Sequence, residues 1–178
     1  MLLDDAVEFV TDEAPPTESV DNDEVWKLLI VDDDEEVHEA TLFALHDIRL
    51  CGRRLQLIQA HSAAEAAAIM GREAEIAVLL LDVVMESPDA GLRLIRRIRQ
   101  DLNRTEVRIV LRTGQPGQAP ELEVIRDYDI NDYKTKAELT HTRLITTLIA
   151  AIRSYEQLQA INDNRRGLEM IVSGAAEL

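Results

Sequence analysis

Ile76-Ala77-Val78-Leu79-Leu80-Leu81-Asp82 is the stretch on which the fold turns. Six apolar residues run into an aspartate without any alternation of polar and apolar positions. That is the pattern of a strand covered on both faces, as in parallel sheets flanked by helices. Open sheets of this kind place their ligand crevices outside the carboxyl ends of the strands. Asp82 would stand at that edge, at the tip of a rigid rod. An aspartate there is by itself equally an ordinary turn residue. The surrounding chain has to decide between the two.

Working outward, Trp26-Lys27-Leu28-Leu29-Ile30-Val31 is a second apolar run and ends in Asp32-Asp33-Asp34. Apolar spacing at Val37, Ala40, residues 42–45 and Ile48 predicts an amphipathic helix over 35–48, with acids at its start to suit the helix dipole. Leu55-Gln56-Leu57-Ile58-Gln59 reads as a more polar strand. His61-Ser62-Ala63-Ala64-Glu65 then opens an alanine-rich helix with a Ser-x-x-Glu capping box. Beyond Asp82 a loop over 83–91 leads to a helix whose positions 92, 95 and 98 share an apolar face while arginines line the wet one. Val107-Arg108-Ile109-Val110-Leu111 is the next strand, ending at Arg112-Thr113-Gly114. Pro120 suits the first turn of a helix running to about residue 129. Ile130-Asn131-Asp132-Tyr133-Lys134 is a polar fifth strand, and a long helix follows from about residue 138.

Five alternations of strand and helix predict an α/β, doubly wound five-stranded parallel sheet. The most apolar strands should be central and the polar ones at the edges, which gives the order 2-1-3-4-5. The switch point then falls between the first and third strands, with Asp32, Asp33 and Asp82 opening into one crevice.

The composition narrows the class. The chain has 178 residues, 46% of them hydrophobic but only 3% aromatic, enough for one domain with an aliphatic core plus extensions. A single cysteine, Cys51, makes no internal disulfide and fits a reducing cytoplasm. No apolar run approaches a membrane span, and the start lacks the basic residues of a signal peptide. A net charge of −15 argues against direct nucleic-acid binding. Residues 1–24 hold nine acids and no Lys or Arg, which leaves 25 acids against 19 basic residues in the remainder. This segment reads as a disordered acidic leader.

Three converging carboxylates cannot all stay ionised without a cation. An oxygen-only, wet site suits Mg²⁺, with Asp32, Asp33, Asp82 and the backbone carbonyl of Val84 as candidate ligands. No His or Cys cluster favours zinc. Thr113 brings a hydroxyl to the fourth strand end, beside the small Gly114, and Lys136 an ammonium past the fifth. Acceptor carboxylate, divalent cation, hydroxyl and lysine are the parts that offset charge on a phosphoryl group in transfer.

On Val31-Asp32-Asp33, Asp82 with Met85, Leu111-Arg112-Thr113-Gly114 and Asp132-Tyr133-Lys134-Thr135-Lys136, the chain resembles the receiver domain of a two-component response regulator, over roughly residues 26–155. The resemblance implies that a histidine kinase or phosphotransfer protein donates phosphate to Asp82. Thr113 and Tyr133 would be the switch residues, and the face from about Pro120 through the fifth strand and last helix would change partners. It implies a domain that promotes its own phosphorylation and dephosphorylation and is otherwise not an enzyme, any enzymatic output lying outside this chain. Thr113-Gly114-Gln115-Pro116-Gly117 and residues 128–134 further resemble receivers that precede an uncharacterised middle domain and an HD-GYP cyclic-di-GMP phosphodiesterase. Ala137 departs from the pattern, which has proline after the lysine. The loop after Met85 is about one residue longer than usual, and Val84 is apolar where dephosphorylation is often tuned.

Two other readings compete. An aspartate-nucleophile phosphohydrolase of the haloacid dehalogenase type would use Asp32-x-Asp34 as nucleophile and acid. A pseudo-receiver would fold without being phosphorylated. Asp32-Asp33-Asp34 also offers a helix cap, and the scattered His38, His46, His61 and His141 read as surface or capping residues. In the tail, Ile145, Leu148, Ile152 and Tyr155 form one frame. Ile161, Leu168 and Ala175, with Ile171 and Leu178, form a second, and Asn162-Asp163-Asn164 falls at the join. The first frame packs on the sheet of a domain spanning 25–155. The second, in a helical linker over 156–178, suits pairing with another copy as a coiled-coil homodimer, ahead of an output domain.

Overall fold

The computed structural model describes residues 24–114, 130–135 and 140–175. The strands are β1 (Val25–Val31), β2 (Arg49–Leu50), β3 (Arg53–Ala60), β4 (Ile76–Asp82), β5 (Arg108–Thr113) and β6 (Asp132–Thr135). The helices are α1 (Glu35–Leu45), α2 (Ala63–Arg72), α3 (Ala90–Arg96), which runs on through a π-helical turn (Arg97–Asp101), and α4 (His141–Ala175). The sheet order is β2-β3-β1-β4-β5-β6, parallel except where β2 meets β3. The five parallel strands, numbered along the chain, stand in the expected order 2-1-3-4-5.

The sixth strand is a correction. Arg49–Leu50 is too short to show a hydrophobic period, and it folds back on Arg53 and Arg54 through Cys51-Gly52. Both turn residues have positive φ, 48° and 83°, the two-residue hairpin turn whose twist matches the strands it joins. Cys51 thus has a place, as a turn residue. Trp26 secures the hairpin by donating its indole N–H to the Leu50 carbonyl at 3.0 Å, and Arg53 lies over its ring.

Every residue of β4 is buried, as its unbroken apolar run requires. One core layer joins Leu29, Leu79, Leu81 and Ile109 to α2 and α3; the other joins Leu28, Ile30, Leu80 and Val110 to α4. The α2 cap keeps one arm of the expected capping box, Ser62 Oγ accepting from the Glu65 N–H at 3.2 Å, while the Glu65 side chain reaches past the cap residue to accept from the His61 N–H at 2.8 Å. On α3, Arg93, Arg96 and Arg97 are exposed, the wet face expected. Arg99 instead reaches the Arg104 and Val107 carbonyls. Asn131 clamps β6 to its neighbour, its side chain accepting from the Ile109 N–H at 2.7 Å and its own N–H donating to the Ile109 carbonyl.

Helix α1 differs from expectation in its end and its face. It stops at Leu45, because Asp47 takes a left-handed conformation. Its buried residues are His38, Thr41 and Leu45, whereas Phe43 is 86% exposed. The surface role assigned to His38 is therefore wrong: its ring is buried, with Nε2 2.9 Å from the Asp32 carbonyl and the His61 ring tilted at 45° beside it. Helix α4 runs unbroken through Asn162-Asp163-Asn164. Leu144, Leu148, Ala151, Ile152 and Tyr155 bury against the sheet, and beyond them Ile161, Leu168, Met170 and Ile171 are exposed.

Candidate phosphoacceptor site

β1 and β4 are adjacent parallel strands, with Val31 opposite Leu81, so the residues that follow the pairing leave the sheet side by side. Carboxylate oxygens of Asp32, Asp33 and Asp82 lie within 4.8 Å of one another; Asp32 and Asp82 are buried and Asp33 is exposed. An octahedral Mg²⁺ shell at about 2.1 Å spans some 4 Å between opposite oxygens. The trio fits such an ion with little closure, and the all-oxygen donor set is the one Mg²⁺ prefers.

The two buried carboxylates are each held from their own loop. Asp32 Oδ1 accepts from the Asp34 N–H at 3.1 Å, and Asp82 Oδ1 from the Val84 N–H at 3.3 Å. Val84, predicted to offer its carbonyl, makes its visible contribution through the amide. Asp34 is the N-cap of α1, its side chain accepting from the Glu36 N–H at 3.0 Å. That cap occupies the residue which the phosphohydrolase reading needed as an acid. Gly91, at the start of α3, lies so close to the Asp82 carbonyl that a β-carbon there would sit 2.4 Å from its oxygen.

Thr113 ends β5 with its side chain fully buried. Tyr133 lies in β6, opposite Leu111. Lys136 and residues 115–129, including the helix expected from Pro120, lie outside the described residues, as do residues 1–23 of the acidic leader.

The sequence reading missed Arg112. In β5 it pairs with Asp82 across the ladder, and its guanidinium crosses to Asp32, with Nη2 3.4 Å from Oδ2. Nη1 donates to Thr41 Oγ1 at 3.0 Å. Burial pulls this guanidinium below the ordinary arginine value, while Asp32 and Asp82 pull it back up. The signal was present in the quoted Leu111-Arg112-Thr113: an arginine next to last in a buried strand requires a buried anion nearby.

Comparison with known proteins adds four findings. A family described as Domain of unknown function (DUF3369) matches residues 148–178. The 3'3'-cGAMP-specific phosphodiesterase 2 of Vibrio cholerae serotype O1 is 46% identical over 155 residues, which are 87% of this chain but 30% of that protein. Among solved structures, a response regulator receiver domain from Clostridium thermocellum aligns with a TM-score of 0.62 at 19% identity, over 75% of this chain and 98% of its own. The signal receiver domain of an HD domain-containing protein from Pseudomonas fluorescens Pf-5 aligns at 0.60 with 20% identity, over 75% and 99%.

Proposed function

We propose that this chain, which has the fold of response regulator receiver domains, takes up a phosphoryl group on Asp82 from the phosphohistidine of a kinase or phosphotransfer protein. The observation that carries this reading is the convergence of Asp32, Asp33 and Asp82 at the carboxyl edge of the sheet. An Asp82 oxygen attacks phosphorus; the P–N bond of the donor breaks as the P–O bond forms, and the bonding pair stays with the departing imidazole. Mg²⁺ held by the three aspartates would neutralise charge on the phosphoryl oxygens. The Val84 amide steadies the carboxylate, and the Thr113 hydroxyl and the Lys136 ammonium are the donors assigned to the phosphoryl group. Water then attacks the acyl phosphate, releasing phosphate and restoring the carboxylate.

Intact mass after treatment with acetyl phosphate and Mg²⁺ tests this. The native chain is expected to gain one phosphoryl group and Asp82→Asn none. Label that survives Asp82→Asn but disappears in Asp32→Asn would instead favour the phosphohydrolase reading.

The output follows from α4. The helix that Leu148 and Tyr155 fix to the sheet continues into a stretch with Ile161 and Leu168 exposed one heptad apart. We assign this stretch to pairing with a second copy, altered by phosphorylation through the β6–α4 side of the domain, and thence to control of an output unit. The likeness to a cyclic-dinucleotide phosphodiesterase supports such an enzyme as that output. Leu168→Glu removes two apolar side chains from a paired interface, a loss of about 3 kcal/mol, and should weaken dimerisation about 100-fold. Sedimentation equilibrium reads this, while phosphoryl uptake stays native. Equal association of native and variant chains would refute the pairing.

A further inference from the structure

We propose that Arg112 is a resident counter-ion of the acidic crevice, competing with the divalent cation for Asp32, so that this chain holds its metal more weakly than its carboxylates alone would. The inference rests on the phosphoacceptor reading and adds a device to the same site.

The guanidinium is close to the trio but loosely held. Its 3.4 Å approach to Asp32 Oδ2 is long against the 2.7–2.9 Å of a strong charge-assisted bond. Among the described residues its buried Nε meets no hydrogen-bond partner. The guanidinium thus holds its charge beside Asp32 and Asp82 with one donor unspent among the described residues. Its firmer bond, 3.0 Å, is to Thr41, away from the crevice. Thr41 donates its own proton to the Val37 carbonyl at 2.6 Å, so its oxygen is oriented to accept from Arg112. On that side a cavity of about 350 Å³ lies between α1 and α4, lined by Val37, Thr41, Ala44, His141, Leu144 and Arg112. A guanidinium displaced from Asp32 therefore keeps one partner and has room to withdraw.

Two consequences follow from the charge. Without metal, Arg112 offsets part of the repulsion among Asp32, Asp33 and Asp82. With metal, a positive charge a few ångströms from a dication opposes its binding, and partial burial keeps this repulsion from being screened away.

Calorimetric titration of the full chain with Mg²⁺ tests the competition, using native protein, Arg112→Met and Arg112→Lys. Arg112→Met should bind Mg²⁺ at least about tenfold more tightly, and Arg112→Lys close to native, since one keeps the length and the other the charge. In chelator, Arg112→Met should melt below native, and its gain in Tm on adding Mg²⁺ should exceed the native gain. A pocket that had merely loosened would bind the ion more weakly, so native or reduced affinity in Arg112→Met overturns the inference. Should Arg112→Met unfold in chelator, recovery of the fold by Mg²⁺ supports the exchange of cations, and failure to recover at saturating Mg²⁺ overturns it. If native, Met and Lys chains all lack saturable Mg²⁺ uptake, the metal-dependent reading of the site fails, and this inference with it.

Discussion

Gly91→Ala is expected to cost about 3 kcal/mol of stability and to abolish phosphoryl uptake on Asp82 in whatever fraction remains folded. The added carbon would meet the Asp82 carbonyl oxygen at 2.4 Å, the Val83 α-carbon at 2.9 Å and the Val83 carbonyl oxygen at 3.1 Å. All three are backbone atoms, so no rotamer change relieves the contact. Either α3 moves off the sheet, against the burial of Leu94, Ile95 and Ile98, or the chain at 82–83 shifts and carries the carboxylate with it. The Gly91 N–H also donates to the Val83 carbonyl at 3.1 Å, a bond that the shift would break. Gly71 is the control. It lies inside α2 with nothing within 4 Å of its built β-carbon, so Gly71→Ala should gain about 0.5–1 kcal/mol from helix propensity alone. Urea denaturation in Mg²⁺ reads both signs. A Gly91→Ala chain as stable as native would mean that α3 does not depend on this close approach.

Gly91 also shows how far the sequence could be read. The run into Asp82 is legible because a strand buried on both faces leaves no position where a polar residue is tolerated. The same logic located β1 and so brought Asp32 and Asp33 to Asp82. Ser62 and Glu65 were legible because a cap is chemistry among near neighbours. What escaped depends on residues far apart in the chain. Arg112 meets Asp32 and Thr41 only because β4 lies between β1 and β5. His38 looked like a surface residue because the apolar spacing of α1 pointed to Val37 and Ala40. The helix instead turns His38 and Thr41 inward, since at its acidic end the surface it covers is the polar crevice. The β2 strand escaped because two residues hold no period. Continuity of α4 across Asn162-Asp163-Asn164 was hidden for another reason: residues of middling helix propensity do not break a helix that is already nucleated by packing.

Leu80→Ala should destabilise the chain by about 3–4 kcal/mol, whereas Phe43→Ala, which removes a larger side chain, should change stability by less than about 0.5 kcal/mol. Leu80 is fully buried in the central strand, in the layer that joins Ile30, Val110 and Leu148, so its removal leaves a void walled by two strands and a helix. Phe43 is 86% exposed, and its truncation takes little away from water. The void has a further consequence through position. Leu80 precedes Asp82 by two residues, so both side chains lie on the same face of β4, the face against which α4 packs. Relaxation of Leu148 and Val110 into the space would tilt the strand end that aims the carboxylate. Phosphoryl uptake from acetyl phosphate should then slow at temperatures where Leu80→Ala is still folded by circular dichroism, while Phe43→Ala keeps the native rate. Were the two variants to lose the same stability, or Leu80→Ala to label at the native rate, the rigid strand could not be what aims Asp82.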